Sequence, residues 1–340
     1  MSAPSQSRGR AEACANIALA KYWGKSPRGG NLTAVPSLSL TLDALRTRTE
    51  VSFEADLAAD ECTLNGELVS GDGGQRVTAM LDRFRARASD ARRARVTTLN
   101  NFPTAAGLAS SASGFAALAV AIQSALGLSL TRGALSSEAR QSSASAGRSL
   151  FGGFVELLAE ADEAAPIAPP AHWDVAMVVA VVEAGKKPVS STGGMNHTAA
   201  TSPYYPAWLD RAGAVFEEVR QGVLTRDFER VALGMEHSTR LMHATMFTSQ
   251  PPVLYLRGAT VELMHAIAER RAQGRPEAYT MDAGPNVKVL TTAEHLPATV
   301  EFLGRFPGVT RLFVCSPGSG ARRLGVEGPL SEARPVGEES

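Results

Sequence analysis

The sequence predicts an α+β fold in two domains, because strand-like segments dominate its first half and long amphipathic helices its second half. The clean alternation of SLSLTL at 37–42 is typical of a half-buried strand. Residues 205–224, 226–246 and 255–272 have the apolar spacing of helices. The length of 340 residues suffices for one large or two modest domains, each with its own core.

The elements follow in chain order from periodicity and from breakers such as Gly and Pro. The first half is predicted to contain strands at 14–20, 37–42, 47–53, 95–100, 154–159 and 174–184 and helices at 75–88, 110–126 and 132–147. After the three long helices, the second half is predicted to contain strands at 278–283, 287–292 and 311–315. We place the domain boundary near residue 185, which gives domains of residues 1–185 and 186–325. We expect residues 1–10 to be frayed and 326–340 to form a disordered tail.

The composition excludes several classes of protein. Lys and Arg together number 34, as do Asp and Glu, so the formal net charge is zero. Proteins that coat nucleic acid or an anionic membrane need a strong positive field, so we expect neither partner. The longest apolar stretch, Val175–Val182, is far shorter than the roughly 18 residues of a membrane helix. Cys14, Cys62 and Cys315 fit no disulfide framework or metal motif, which favours a reducing cytoplasm.

The most informative segment is NNFPTAAGLASSASGFAALAVAI at 100–122. Pro103 ends a strand, and small residues around Gly107 allow a ligand to approach the backbone. The following helix begins with Ser110 and Ser111, which add hydroxyls to its free N–H groups, an arrangement that favours an anion. The alternative is a plain capped helix with a small-residue packing face. No GxxxxGK[ST] loop occurs in the chain.

Two further segments combine cations with small or aromatic residues. In NIALAKYWGK (16–25), Lys21 and Lys25 flank an aromatic pair, which suits a polyphosphate or carboxylate. The alternative is a strand that ends in solvated lysines. In SSASAGRSLFGGF (142–154), Arg148 lies among hydroxyls and could bind a carboxylate or phosphate bidentately. The alternative there is a helix carboxyl terminus with a glycine stop.

A single carboxylate is the other candidate group. Asp282 ends a strand in TMDAGPNVKV (280–289), where it could serve as a general base, although DAGPN is also a favourable turn. VSSTGGMNHT at 189–198 reads as a loop rich in hydroxyls and glycine. No HExxH or GxSxG motif is present, and His243 is expected to be packed rather than catalytic.

Together, these segments resemble the diphosphomevalonate decarboxylase family of the GHMP kinase superfamily. The superfamily phosphate loop has the form P-x-x-x-G-L-x-S-S-A-S, which Pro103–Ser113 matches at every position. KYWGK at 21–25, RSLFGGF at 148–154 and MDAGPN at 281–286 indicate the decarboxylase branch. The resemblance extends, in matching order, from about residue 12 to about residue 320.

The resemblance implies a fold and an activity. The fold is the two-domain GHMP kinase fold, with an amino-terminal domain like ribosomal protein S5 domain 2, a ferredoxin-like carboxyl-terminal domain, and the active site between them. The activity is conversion of (R)-5-diphosphomevalonate and ATP into isopentenyl diphosphate, ADP, phosphate and CO2. ATP and Mg2+ are therefore the expected cofactors, and a homodimer is the expected assembly.

The resemblance also implies residue roles. Asp282 would orient or deprotonate the tertiary hydroxyl, Arg148 would pair with the substrate carboxylate, and Lys21 would lie beside the reacting groups. The implied substrate-binding residues are Tyr22, Trp23, Gly24, Lys25, Arg76, Ser143, Ala144, Ser145, Ala146, Gly147, Arg148, Ser190, Ser191 and Thr192. The implied ATP-binding residues are Pro103, Thr104, Ala105, Ala106, Gly107, Leu108, Ala109, Ser110, Ser111 and Ser113, with Ser111 also a magnesium ligand.

Some alternatives remain open. The family usually has S-G-S-A-C-R where this chain has SASAGR at 143–148, so Ala144 and Gly147 depart from the pattern. Similar motifs occur in relatives that act on 5-phosphomevalonate or mevalonate, as decarboxylases or as kinases that stop at the phosphorylated alcohol. A non-catalytic metabolite sensor with this fold is another class. Lys25, Tyr22 and the hydroxyl-bearing residues at 190–192 are all retained, which favours the diphosphate substrate.

Overall fold

A computed structural model describes residues 7–103, 110–183 and 189–331 of the chain. Its strands are β1 Ser7–Ala20, β2 Ser37–Glu54, β3 Glu61–Leu64, β4 Glu67–Leu68, β5 Arg93–Asn100, β6 Phe154–Leu157, β7 Ala165–Ala168, β8 Val175–Val181, β9 Glu277–Thr280, β10 Val287–Thr292, β11 Arg311–Cys315 and β12 Arg322–Leu324. Its α-helices are α1 Gly71–Ala88, α2 Ser110–Ala125, α3 Arg132–Ser142, α4 Ala146–Ser149, α5 Ser191–Thr201, α6 Tyr205–Thr225, α7 Phe228–Phe247, α8 Gly258–Ala272 and α9 Leu296–Gly304.

The larger sheet has eight strands among the described residues, in the order β12–β1–β2–β5–β3–β4, with β6 beside β2 and β7 beside β6. One face carries a core with α1 and α2, which includes Phe53, Phe84 and Ile122. Helix α2 is rich in alanine, so its backbone comes very close to β1. A Cβ at Gly9 of β1 would lie 2.2 Å from the Ala121 carbonyl oxygen. This contact holds the carboxyl-terminal end of α2 against the sheet.

The smaller sheet has four strands in the described part of the chain, in the order β11–β8–β10–β9. One face packs on α8 and α9, with Leu263, Ile267 and Leu303 in the core. The other face contributes to a core that also contains side chains of β1, β2, α6 and α7. The two sheets therefore share one core, and the ends of β1 and β9 meet beside it.

Strand β8 pairs with β10 and β11 on both of its edges, although it precedes the predicted boundary at residue 185. All seven residues of β8 are buried, as expected for a strand covered on both faces. Periodicity identifies such a strand but does not show which sheet contains it. The pairing favours a boundary between β7 and β8, while the division into two domains stays a prediction.

Both ends of the described chain are more ordered than expected. Of the residues expected to be frayed, 7–10 belong to β1 and are ordered, whereas 1–6 lie outside the described residues. Arg10 Nη1 donates to the Glu327 carbonyl oxygen at 2.9 Å, and Arg48 Nη1 donates to that of Ser331 at 3.3 Å. Residues 326–331 are therefore held against β1 and β2, whereas 332–340 lie outside the described residues. These contacts join segments far apart in sequence, so local polarity could not predict them.

Other differences are local. The helix predicted at 132–147 is interrupted between α3 and α4, because Ser143 is extended. Residues between the predicted strands at 154–159 and 174–184 form the additional strand β7, which pairs with β6. The loop expected at 189–198 largely forms α5, which Ser190 caps by accepting from the Gly193 amide. The sequence did not predict β3, β4, β12 or α9.

Candidate active site

An ion pair joins the two halves of the chain at the site. Lys21 follows the last residue of β1, and Asp282 follows β9 by two residues. Lys21 Nζ lies 2.5 Å from Asp282 Oδ1, and Lys288 Nζ lies 3.5 Å from Oδ2. Both ammonium groups are buried, whereas the Asp282 side chain keeps 26% of its surface exposed. The carboxylate is thus partly accessible and has an ammonium group beside each of its oxygens.

These charges shift one another's protonation. Burial raises the pKa of Asp282, but Lys21 and Lys288 outweigh it and lower that pKa to about 2. Burial lowers the pKa of Lys21 to about 8, although Asp282 partly offsets the effect. At neutral pH, Asp282 is therefore a carboxylate and Lys21 mostly an ammonium.

Arg148 supplies a further buried cation. It lies in α4 and is 2% exposed. Its Nη1 donates to Ser37 Oγ at 2.6 Å, and its Nε donates to Ser39 Oγ at 2.9 Å. Burial lowers the pKa of Arg148 to about 10, with Tyr22 and Asp282 opposing that effect, so the guanidinium stays charged at neutral pH. Arg148, Lys21 and Asp282, which the sequence singled out separately, therefore belong to one charged cluster.

The KYWGK segment leaves β1 beside this cluster. Lys25 Nζ lies 5.5 Å from the centroid of the Tyr22 ring, and Arg148 Cζ lies 5.9 Å from it. Trp23 is packed in the interior, where its Nε1 donates to Thr198. Gly24 has a φ of 110°, and a Cβ there would collide with the Tyr205 hydroxyl.

Helix α2 begins beside the segment that leads into α4. Ser111 Oγ lies 3.3 Å from Ser143 Oγ, which lies 3.4 Å from Ser145 Oγ. These hydroxyls connect the helix start with the 143–148 segment. Ser113, by contrast, is fully buried, with its Oγ 2.6 Å from Thr47 Oγ1. Among the predicted ATP-binding residues, Thr104, Ala105, Ala106, Gly107, Leu108 and Ala109 lie outside the described residues, whereas Pro103 precedes that gap.

A cavity of about 220 Å³ adjoins the start of α2. Ser110, Ser111 and Phe115 line it, together with apolar residues of β3 and β5. Arg76 also lines it, with its Cζ 5.3 Å from the Phe115 ring centroid and Nη1 donating to the Ser142 carbonyl oxygen at 3.4 Å. The structure therefore places Arg76 beside α2 and Ser142, near the serine hydroxyls.

The implied substrate-binding residues Ser190, Ser191 and Thr192 lie at the start of a helix. Ser190 caps α5, and Ser191 and Thr192 form its first turn. Gly194 packs against Trp23, since a Cβ there would lie 3.1 Å from Trp23 Cζ2. The amide groups at the start of α5 are therefore held next to the KYWGK segment, where they can bind an anion.

The two departures from the family pattern lie in the interior. Ala144, Ala146 and Gly147 are all buried. A Cβ at Gly147 would lie 3.0 Å from Ser136 Oγ and 3.2 Å from the Ser136 carbonyl oxygen. Glycine at position 147 thus allows α4 to pack closely on α3, and this side of α4 faces α3.

Sequence reasoning missed several residues of the cluster. Asn16 Oδ1 accepts from Arg148 Nε at 3.3 Å, alongside Ser37 and Ser39. A signal for the two serines was present, because SLSLTL alternates hydroxyls with leucines and thereby makes one face of a buried strand polar. A lysine, Lys288, interrupts an otherwise apolar strand, which is a second signal of a polar site residue.

His243 is buried as expected, and its Nε2 has no hydrogen-bond partner among the described residues.

The described residues contain no group of three or more His, Cys, Asp or Glu side chains placed to hold a metal ion. The Ser110 and Ser111 hydroxyls at the start of α2 are oxygen donors of the kind that suits a magnesium ion carried by nucleotide phosphates. No helix in the described ranges is both long and apolar enough to span a membrane.

Comparisons with known proteins match this site and fold. Residues 13–168 match the family model for the diphosphomevalonate decarboxylase-like N-terminal domain, and 177–315 match that for the mevalonate 5-diphosphate decarboxylase C-terminal domain. The chain is 37% identical over 294 residues to diphosphomevalonate decarboxylase of Candida albicans, and the aligned region covers 81% of each of the two chains. The chain belongs to the diphosphomevalonate decarboxylase family.

Solved structures of the family share the fold. The chain is 37% identical to mevalonate diphosphate decarboxylase from Staphylococcus aureus, with a TM-score of 0.87 over 94% of this chain and 98% of that one. It is 40% identical to MDDEF in complex with MVAPP, AMPPCP and magnesium, with a TM-score of 0.86 over 93% and 98% of the respective chains. The predicted α+β GHMP kinase fold and the family resemblance are confirmed.

Proposed function

We propose that this chain catalyses ATP-dependent decarboxylation of (R)-5-diphosphomevalonate to isopentenyl diphosphate, ADP, phosphate and CO2. The observation that carries the proposal is the Lys21–Asp282 pair beside the buried Arg148. One carboxylate among three cations, Lys288 included, gives the cleft a net positive charge. Such a site suits a substrate that presents a carboxylate and receives a phosphoryl group.

The first step transfers the γ-phosphoryl group of ATP to the tertiary hydroxyl. Asp282 accepts a hydrogen bond from that hydroxyl and takes its proton as the new P–O bond forms. The bond between the γ-phosphorus and its bridging oxygen breaks, and ADP leaves with that oxygen and the electron pair. A carboxylate with a pKa of about 2 is a weak base. Phosphoryl transfer has a loose transition state that needs orientation more than early deprotonation, so a weak base held in place is adequate. Lys21 stabilises the negative charge on the transferred group.

The second step removes CO2 and phosphate together. The bond between the carboxyl carbon and its neighbour breaks, and its electron pair forms the new double bond. The phosphate leaves with the electron pair of its C–O bond. Arg148 holds the carboxylate beside Asp282 until this bond breaks, since its guanidinium is fixed by Ser37 and Ser39.

The nucleotide occupies the start of α2 and the adjoining cavity. The α2 amides and the hydroxyls of Ser110 and Ser111 bind phosphate oxygens, and the apolar lining of the cavity accepts the base. Ser111, together with the phosphates, would hold Mg2+. When bound, that ion neutralises charge that develops on the phosphate oxygens.

Two groups support the diphosphate as the specific substrate. Lys25 Nζ lies 5.5 Å from the Tyr22 ring centroid, and α5 packs through Gly194 on Trp23 of the same segment. A cation and the positive end of a helix dipole together suit a doubly charged terminal group better than a hydroxyl.

The deciding experiment offers mevalonate, 5-phosphomevalonate and 5-diphosphomevalonate with ATP and measures CO2 released for each ADP formed. A ratio near one with the diphosphate alone supports the proposal. ADP without CO2 indicates a kinase that stops at the phosphorylated alcohol, and neither product indicates a metabolite sensor. A higher kcat/KM on another member of the panel reassigns the substrate.

We also propose a cytoplasmic homodimer. Family resemblance supports the dimer, and three free cysteines, Cys14, Cys62 and Cys315, suit a reducing compartment. Light scattering coupled to size-exclusion chromatography measures the mass directly, and a value near 35.7 kDa instead of twice that mass contradicts the dimer.

A further inference from the structure

Lys288 is fully buried on the face of β10 that packs against the core shared by the two sheets. It lies on β10, opposite Val179 of β8 and Thr280 of β9, so it shares their face of the sheet. Val179 and Leu290 on this face belong to the core shared by the two sheets. The Lys288 side chain is 0% exposed. Burial of an ammonium group costs several kcal/mol, so a methionine would be the simpler occupant for packing alone.

The buried ammonium group has a defined orientation. Lys288 Nζ donates to the Asn286 carbonyl oxygen at 3.1 Å and lies 3.5 Å from Asp282 Oδ2. Lys21 binds the other oxygen, Oδ1, from the end of β1. The carboxylate is therefore held at both oxygens by cations from different strands. A carboxylate held at one oxygen only could rotate about its Cβ–Cγ bond.

We infer that Lys288 is a positioning residue for the phosphoryl transfer, which fixes the Asp282 carboxylate from behind and keeps it ionised. This inference rests on the proposed function, because the orientation matters only if Asp282 receives the substrate hydroxyl. Lys288 is buried behind Asp282 and acts through it. Its loss should therefore lower kcat far more than it changes KM.

The charged groups around Asp282 determine how the pH profile should change when Lys288 is lost. Asp282 is faced by Lys21 from β1, Arg148 from α4, His243 from α7 and Lys288 from β10. Loss of Lys288 removes a cation that lowers the pKa of Asp282 and that of Lys21. Both pKa values should therefore rise. The acidic and the basic limbs of the plot of activity against pH should then both move to higher pH.

The test compares Lys288→Met with the wild-type enzyme, measuring kcat and KM from pH 5 to pH 10. We expect kcat to fall about ten- to a hundredfold with KM little changed, as for a displaced catalytic group. The basic limb should move to higher pH. In a readout independent of turnover, the Asp282 carboxylate, followed by 13C NMR in the free protein, should titrate at higher pH than in the wild type. Leu290→Met on the same face is the control, and it should change neither limb.

Several outcomes would overturn the inference. A folded Lys288→Met enzyme with wild-type kcat, or with a lower kcat at every pH and an unshifted profile, shows that Lys288 has only a packing role. Lys288→Gln provides a second variant if the methionine variant does not fold, and failure of both to fold also assigns a purely structural role. Absence of CO2 from the wild-type enzyme counts against the proposed function, whereas an unshifted Asp282 titration counts against this inference alone.

Discussion

Asp282 is a carboxylate whose environment suppresses its basicity. Two ammonium groups contact it, and together they outweigh the desolvation that would otherwise raise its pKa. The residue remains useful because its position, rather than its proton affinity, is what the reaction needs. Lys21 shows the converse effect, since burial brings its pKa close to the physiological range.

Asp282→Asn tests the role of the carboxylate. The amide keeps the shape of the side chain but cannot take the hydroxyl proton, so we expect turnover to fall at least about a hundredfold. Steady-state CO2 release measures the loss, and far-UV circular dichroism verifies the fold. Activity within a few fold of the wild type would remove Asp282 from the reaction.

The protonation of Lys21 predicts the basic limb of the pH profile. The pKa of Lys21 is about 8, so its ammonium form is lost as the pH rises through that value, and the charge that stabilises the transferred phosphoryl group disappears. We expect kcat/KM to decrease about tenfold per pH unit well above pH 8. Activity that stays constant up to pH 10, with the fold intact, would exclude this role.

Contacts between elements determine where the substrate-binding residues lie. Helix α5 packs on Trp23 through Gly194, and Trp23 is the neighbour of Tyr22 in the KYWGK segment. Local sequence at 189–198 indicated a loop because Gly193 and Gly194 weaken helix propensity. The helix forms because Ser190 caps it and because Gly194 allows close contact with the indole.

Gly194→Ala tests this contact between elements. The added Cβ would lie 3.1 Å from Trp23 Cζ2 and from the Tyr255 hydroxyl, so the indole or the helix must shift. We expect a loss of about 1–3 kcal/mol in the free energy of unfolding and a higher KM for the substrate. Thermal denaturation and steady-state kinetics measure the two effects.

Gly213→Ala in α6 is the matched control for that change. No atom lies within 4 Å of a Cβ at this position, so the same substitution should stabilise the helix by up to about 1 kcal/mol. Equal effects of the two substitutions would contradict the close contact at Gly194.

On the scale of the whole molecule, one core joins the two sheets. Leu40 of β2 and Leu290 of β10 belong to the same buried cluster, with Met235 of α7 also in it. The ion pair between Lys21 and Asp282 lies at the edge of that core, so folding of both halves is required to form the site. We therefore expect unfolding to be cooperative across the chain.

Leu290→Ala tests the shared core. Removal of this fully buried side chain should lower the free energy of unfolding by about 2–5 kcal/mol. Circular dichroism and tryptophan fluorescence should report one coincident transition at lower denaturant. Leu233→Ala, at a position 52% exposed, should change stability by less than about 0.5 kcal/mol. Two separated transitions would show that the halves unfold independently.

The sequence by itself determined the family, the fold class and most long elements, because the phosphate-loop motif and apolar periodicity are local properties of the chain. It also singled out Lys21, Arg148 and Asp282 through their motifs. Only the tertiary structure decided that β8 pairs with the second sheet and that Lys288 contacts Asp282. These depend on contacts between distant segments, which burial and charge stabilise and which no local pattern encodes.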